Sequence, residues 1–417
     1  MSKSKNNNNV AIIFDDLTEF FVMRPAIDDM KKAKINVDII VPYDSGYNGL
    51  SEYTFKEIVK LGYHPLKDAP KDKEYKVLLT PYPTLEIIKR TKYIYHLRYS
   101  YGPMSAKPDP VFLPEWKIYY DGIFSFNSYE PHFLSAYGNK YHLLPYWKYN
   151  NFKKTTKSKT KPNLLILSTF GTDISNVKLF TKSAIQEIKK HYHIIVKAHH
   201  ATHFNSDQDD SLSILQDIAD DFYDSSTPLI DLLEIADVVL SDNSGAIFES
   251  IYAGIPVAIF CKNPNQRKLG KINTLQYELI QQKVLPYTDR ADQVLPLLQS
   301  IQPYSEKQKK IKWQLFPKFK DNSPKEFTKV IKEYLATDQD SDYYKAIHDL
   351  LVDEVDTLQN AIKTHETRVH ELEDTVNKQS LTIQELNNAI DNLKQSTSWK
   401  ITKPLRQLKQ IGKKERS

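Results

Sequence analysis

Short apolar, β-branched runs punctuate the first three quarters of the chain. They fall at Val10–Phe14, Val37–Val41, Val77–Thr80, Tyr93–His96, Gly122–Phe126, Leu164–Ser168, His193–Lys197, Val238–Ser241 and Val257–Phe260. Several are apolar at nearly every position. That pattern suits strands covered on both faces, as in a parallel sheet. Mixed segments with helical spacing lie between them, such as Leu179–His191 and Leu229–Ala236. This alternation predicts a doubly wound α/β architecture. A polar, basic stretch over 151–162, closed by Pro162, reads as a linker between two Rossmann-like lobes, 1–150 and 163–335. A long surface loop within one lobe is the alternative.

After a polar joint at 336–342 the pattern changes period. Val355, Ile362, Val369, Val376, Ile383 and Ile390 occupy one core position of a heptad. Leu351, Leu358, His365, Leu372, Gln379, Leu386 and Leu393 occupy the other. β-branched residues at a with leucine at d favour a parallel two-stranded coil, so a coiled coil over 343–396 with a homodimer seam over 351–393 is expected. A long helix folded back on its own globular part is the alternative. The tail, 397–417, carries Lys400, Lys403, Arg406, Lys409, Lys413, Lys414 and Arg416 against Glu415, interleaved with Trp399, Leu405, Leu408 and Ile411. Such a basic amphipathic stretch suits an anionic membrane surface. A disordered solubilising tail is the plain alternative, and nucleic acid a weaker one.

Composition narrows the setting. The chain has 417 residues, 40% hydrophobic and 26% charged, which permits a sizeable core. A formal charge of +5 does not by itself argue for nucleic acid. The single cysteine, Cys261, excludes a disulfide framework within the chain. No run of about 18 apolar residues and no signal-peptide core is present, so a cytoplasmic protein is expected.

Candidate chemistry gathers at strand ends. In Val238–Phe260 a buried strand opens into Asp242-Asn243-Ser244-Gly245 and then a helix. Serine and asparagine cap helices, glycine lets the backbone approach a ligand, and a helix N-terminus favours a phosphate. The run His193–His203 delivers Lys197, His199 and His200 at a strand end. Histidine there can donate to phosphate oxygens. His199 and His203 have zinc-ligand spacing, but no cysteine or HExxH glutamate accompanies them, so no metal is expected. Ser168 and Thr169 follow another buried strand. In the first lobe His96 ends an apolar strand ahead of Arg98 and a Gly-Pro turn, where it would accept a proton from an acceptor hydroxyl. In each case a plain capped turn or a packed histidine is the alternative.

At these residues the chain resembles the CDP-glycerol glycerophosphotransferases of teichoic-acid synthesis, a GT-B-type family. IVKAHH stands where that family has K-x-H-P, with His199 on its histidine and Lys197 on its lysine. LIDLLEIADVVLSDNSG matches L-L-x-x-x-D and D-Y-S-S, with Asp242 and Ser244 on the Asp and first Ser. His96 in YHLRYSYGPMSAK is the best match to the catalytic base of W-H-G-T-P-x-K, although five residues separate it from the glycine. His200 replaces the proline of K-x-H-P, and Asn243 and Gly245 replace the tyrosine and second serine. SDNSGAIFES also resembles nucleotide-sugar GT-B enzymes, in which a glutamate of this helix holds the donor ribose; Glu249 is that residue here. STSWKITKPLR resembles an element that follows coiled coils in bacterial surface-polysaccharide glycosyltransferases.

The resemblance implies transfer of a glycerol-phosphate or sugar unit from a nucleotide-diphosphate donor. The acceptor would be a cell-surface polymer or lipid-linked molecule at the inner membrane face. It implies no cofactor and no metal, donor contacts from Ser168, Thr169, Lys197, His199, Asp242, Ser244, Gly245 and Glu249, and His96 as base. A nucleotide-sugar glycosyltransferase and a non-catalytic scaffold of the same fold are the competing readings.

Overall fold

The structure, a computed structural model, describes residues 9–42, 49–81, 91–100, 120–129, 140–155, 160–169, 175–199, 209–224, 227–266, 268, 273–337 and 341–397. The chain divides into two compact units, 1–348 and 349–417. The expected sites at His200 and His203, and the basic tail from residue 398 onward, lie outside the described residues.

The first unit contains two six-stranded parallel sheets. The first comprises β1 (Asn9–Ile13), β2 (Asn36–Ile40), β3 (Glu74–Thr80), β4 (Lys92–Tyr99), β5 (Gly122–Ser125) and β6 (Lys140–Leu143), ordered β2-β1-β3-β4-β5-β6. Helices α1 (Leu17–Lys32) and α2 (Leu50–Lys60) belong to this lobe. The second sheet comprises β7 (Asn163–Leu167), β8 (His193–Lys197), β9 (Asp221–Tyr223), β10 (Val238–Ser241), β11 (Val257–Phe260) and β12 (Tyr287–Thr288), ordered β12-β11-β10-β7-β8-β9. Its helices are α3 (Lys182–His191), α4 (Asp209–Ile218), α5 (Leu229–Ile235), α6 (Ala246–Ala253), α7 (Leu275–Gln281), α8 (Val294–Gln299) and α9 (Gln302–Leu315).

The apolar runs become strands because both faces are covered: every residue of β7, β10 and β11 is buried. β6, β9 and β12 are the strands that the apolar pattern missed. All three lie at sheet edges, where half-exposed residues such as Asp221 and Tyr287 are tolerated.

Helix α10 (Lys325–Ala336) follows the second lobe in sequence but packs on the first. Phe327, Val330, Ile331, Tyr334 and Leu335 are buried at the i, i+3, i+4 spacing of one helix face. The Phe327 ring lies 4.5 Å from Phe124, and Thr328 Oγ1 donates to Asp29 of α1 at 2.6 Å. Lys76 Nζ of β3 donates to the Leu335 carbonyl at 2.7 Å. The lobe boundary expected at 335 therefore places a first-lobe element in the second lobe.

Helix α11 (Ser341–Gln395) runs unbroken for 55 residues, about 80 Å at helical rise. Val369, Leu372, Val376, Ile383, Leu386, Ile390 and Leu393 of the heptad are 46–61% exposed on the single chain. Among the described residues no helix is long and apolar enough to cross a membrane.

Candidate functional site

Counted along the chain, the second sheet reads 3-2-1-4-5-6, and its strand order reverses between β7 and β10. Ligands of open α/β sheets bind beyond the carboxyl ends of the strands at such a switch point. Leu167 of β7 is in register with Lys197 of β8 on one side and Ser241 of β10 on the other. Three parallel strands therefore end level. Ser168, Thr169, Lys197, His199 and the turn 242–245 all lie on one rim.

The rim is braced by a buried carboxylate. Asp242 is fully buried, and both its oxygens accept from the Thr169 N–H, at 2.9 and 3.1 Å. Its Oδ2 also accepts from the Asn176 N–H at 3.1 Å. Ser168 Oγ donates to Asn176 Oδ1 at 2.5 Å. Asp242, Ser168 and Thr169, expected as donor contacts, are thus committed to joining the two turns. For Asp242 the bracing role also suits its charge, since a carboxylate aimed at a diphosphate would repel it. Gln276, which the sequence reading missed, donates through Nε2 to Asn243 Oδ1 and to the Pro264 carbonyl. Its distance from the turn in sequence hid it.

Ser244 and Gly245 are the members of the turn that reach solvent. Ser244 Oγ accepts from the Ala246 N–H at 3.3 Å. Gly245 has φ −60° and ψ −20°, an ordinary helical conformation, so what glycine supplies there is the absence of a side chain. The helix that follows ends at Gly254, whose φ of +76° does require glycine, with the Ile255 N–H closing on the Ser250 carbonyl at 2.9 Å.

Two lysines stand beside this turn. Burial, and then the charge of Lys148, push the Lys197 ammonium down to about 8; Asp224 and Glu249 oppose that shift. The contacts of Lys197 Nζ are long ones, to the carbonyls of Asp224 at 3.3 Å and Ala198 at 3.4 Å. Lys148 pairs with Glu249 at 2.7 Å, each side chain 10% exposed, and the Tyr149 hydroxyl donates to the same carboxylate oxygen at 2.7 Å. Burial and this carboxylate hold the hydroxyls of Tyr146 and Tyr149 well above the usual tyrosine range. Glu249, expected to hold a donor ribose, instead receives two first-lobe groups. Lys148 and Tyr149 were absent from the sequence expectations, although the aromatic run Tyr146–Tyr149 marks them.

The two lobes meet at their strand ends. Lys148 and Tyr149 follow β6, and Glu249 lies in the first turn of α6, the helix that follows β10. After β5, the Ser128 N–H donates to the Leu315 carbonyl at 2.8 Å, and burial, with the charge of Glu278, pushes the Tyr129 hydroxyl up to about 12. The carboxyl edges of the two sheets therefore face each other. Lys148→Met should cost about 3 kcal/mol of stability, because it strands Glu249 in a largely buried site. Chemical denaturation checks this, and Lys148→Met with Glu249→Gln should recover part of the loss.

In the first lobe the position of His96 differs from expectation. β4 continues to Tyr99, so His96 lies three residues inside the strand. It is fully buried, its Nε2 is 2.7 Å from Thr80 Oγ1, and its ring lies 4.5 Å from that of Tyr120. A histidine open to the crevice gives way to a packed one.

The carboxyl end of β1 supplies a different group. Asp16 caps α1 by accepting from the N–H groups of Thr18 at 2.6 Å and Glu19 at 3.0 Å. Glu19 reaches back to accept from the Asp15 N–H at 2.8 Å. Burial, and then the charges of Asp16 and Asp15, hold Glu19 well above the usual carboxylate range. Asp15 is pushed up to about 6 by burial and by Asp16. Its Oδ1 is buried and has no hydrogen-bond partner among the described residues. Asp15 and Glu19 were absent from the sequence expectations, although the run FDDLTEF marks them. Among the described residues no group of histidine, cysteine, aspartate and glutamate could hold a metal. Burial pushes the Cys261 thiol up to about 12, so it is inert.

No family model matches the chain, and no curated protein sequence matches it significantly. Solved structures do. A putative UDP-N-acetylglucosamine 2-epimerase from Listeria monocytogenes aligns with a TM-score of 0.54 at 12% identity, over 79% of this chain and 97% of that one. The S. aureus MnaA–UDP complex aligns with a TM-score of 0.53 at 10% identity, over 78% and 96%. The wall teichoic acid polymerase TagF aligns at 0.49 and 15% identity, over 79% and 90%. The likeness establishes a two-lobed α/β fold of GT-B type.

Proposed function

We propose that the protein is a transferase that holds a nucleotide-diphosphate donor on the rim of the second sheet and moves a sugar or polyol-phosphate unit to an acceptor in the crevice. The observation that carries this reading is the level ending of β8, β7 and β10, which gathers Lys197, His199, Ser244 and Gly245 on one edge. The diphosphate lies against the N-terminal turn of α6, with the Ser244 hydroxyl and the backbone of Ser244 and Gly245 as donors. Lys197 and His199 offset charge that grows on the leaving phosphate. Asp242, Thr169 and Ser168 position that edge. Asp15, across the crevice, takes the acceptor's proton in place of His96. The neighbours named for UDP and for UDP-N-acetylglucosamine support a nucleotide-diphosphate ligand and favour a nucleotide sugar over CDP-glycerol.

In this reading the exposed stripe on α11 pairs with a second copy of the chain, and the basic tail meets an anionic membrane that carries a lipid-linked or polymer acceptor. The protein would then work at the inner face of the cell membrane.

The test is donor binding and turnover with CDP-glycerol and a panel of UDP-, GDP- and dTDP-sugars. Binding of none of them would overturn the assignment. Lys197 adds a pH signature. Its ammonium is charged below about 8 and neutral above, whereas a diphosphate diester does not titrate there. Donor affinity should therefore be flat toward neutral pH and weaken by up to about tenfold per unit above that point. Calorimetry near pH 8.5 should show proton uptake on binding. Lys197→Met should weaken binding and abolish both effects; affinity in the wild type that stays constant from pH 7 to 9 would remove Lys197 from the site.

A further inference from the structure

A basic island lies on the first unit, separate in sequence from the tail. Residues 302–320 carry six lysines against Glu306 alone, a surplus equal to the formal +5 of the whole chain. On α9 the inner face is fixed by Ser305, Gln308 and Leu315, all buried. Gln308 anchors it by donating to the carbonyls of Val257 at 2.8 Å and Val284 at 3.3 Å. The outer face carries Trp313, with Lys309 and Lys310 one turn before it.

Trp313 is 48% exposed, although a tryptophan is usually a strongly buried side chain. Its ring is flanked by two ammonium groups, Lys312 Nζ at 4.6 Å and Lys318 Nζ at 4.7 Å from the centroid. Lys320 is exposed just beyond. Lys312 also lies 4.9 Å from the Tyr252 ring centroid, which seats this corner against α6.

We propose that this corner of the second lobe, centred on Trp313 with Lys310, Lys318 and Lys320, docks on an anionic lipid surface. The chemistry is complementary on two counts. A bilayer interface offers negative headgroups to the lysines and a shallow apolar layer to the indole, which keeps its N–H near water. Each lysine adds to the electrostatic attraction, and the tryptophan supplies depth that a purely charged partner would not reward. Nucleic acid answers the charge alone, because one isolated ring gives no run of stacking platforms. The surface is separate in sequence from the tail, so it orients the catalytic body itself and not only the chain end.

The test uses the full chain, tail included, in every variant. Co-sedimentation is measured with vesicles of phosphatidylglycerol in phosphatidylcholine, with pure phosphatidylcholine vesicles, and with a duplex oligonucleotide. Wild type should bind the anionic vesicles and not the neutral ones. K310E/K318E/K320E should weaken that binding at least tenfold, and Trp313→Ala several-fold with its charge intact. Both changes are on the surface and should leave thermal unfolding and nucleotide binding as in wild type. Vesicle binding unchanged in both variants would overturn the proposal and leave attachment to the tail alone. Preferential binding of the oligonucleotide, lost in K310E/K318E/K320E, would overturn it in favour of nucleic acid.

Discussion

Asp242→Ala should unfold several degrees below the wild type and lose donor binding at temperatures where it is still folded. The carboxylate is fully buried and receives the N–H groups of Thr169 and Asn176. Removing it leaves two buried backbone donors facing a small void. A hydrogen bond to a charged group contributes about 1.5–3 kcal/mol, so the loss should be on the order of 3–5 kcal/mol. For a body of this size that corresponds to a fall in Tm of roughly 4–7 °C. The functional loss has the same origin, since the bonds that hold Thr169 and Asn176 also hold the loop after β7 to the turn after β10. Calorimetric unfolding and nucleotide titration at 15 °C check the two effects separately. A variant that melts early but binds normally would make Asp242 a stability residue with no part in the site. Asp242→Asn, which keeps the shape and part of the accepting capacity, should fall between the two.

Asp15→Asn should reduce turnover by about 10²–10⁴-fold while leaving donor affinity nearly unchanged, the usual contribution of a positioned general base. The sign of the pH effect follows from the direction of the shift. Asp15 is raised to about 6, so it is protonated and inactive as a base below that point and ionised above it. Wild-type turnover should climb through about 6, level off, and fall again as Lys197 loses its proton above about 8. The substitution should erase the acidic limb and keep the alkaline one. Wild-type turnover in Asp15→Asn, or an acidic limb that survives it, would return the search for the base to other groups of the first lobe. His96→Ala is the control: as a fully buried strand residue it should lower stability before it alters the pH profile.

Much of the fold was legible because a parallel sheet writes itself as continuous apolar runs, and β7, β8, β10 and β11 start and stop within a residue of the runs that announce them. The edge strands β6, β9 and β12 were not, because half-exposed strands lack that signature. In the site, the sequence brought Lys197, His199, Ser244 and Gly245 to strand ends, and parallel register sets those ends level. It could not separate contact from support. Asp242 and Ser244 are two residues apart, yet one side chain is sealed inside and the other reaches solvent. His96 misled because its strand continues past it to Tyr99, so a residue read as terminal is interior. Lys148 and Gln276 were hidden by distance along the chain: each acts on a residue of the α6 turn from another element.

The return of α10 to the first sheet has a mechanical corollary. The chain passes from one lobe to the other after Tyr149 and passes back before Lys325, so two covalent cords join the halves. A body tethered at a single point can swivel freely; one tethered at two can only swing about the line through both. Opening and shutting of the cleft would therefore resemble a book on its spine, and whatever enters would be met by the same two pages on every stroke.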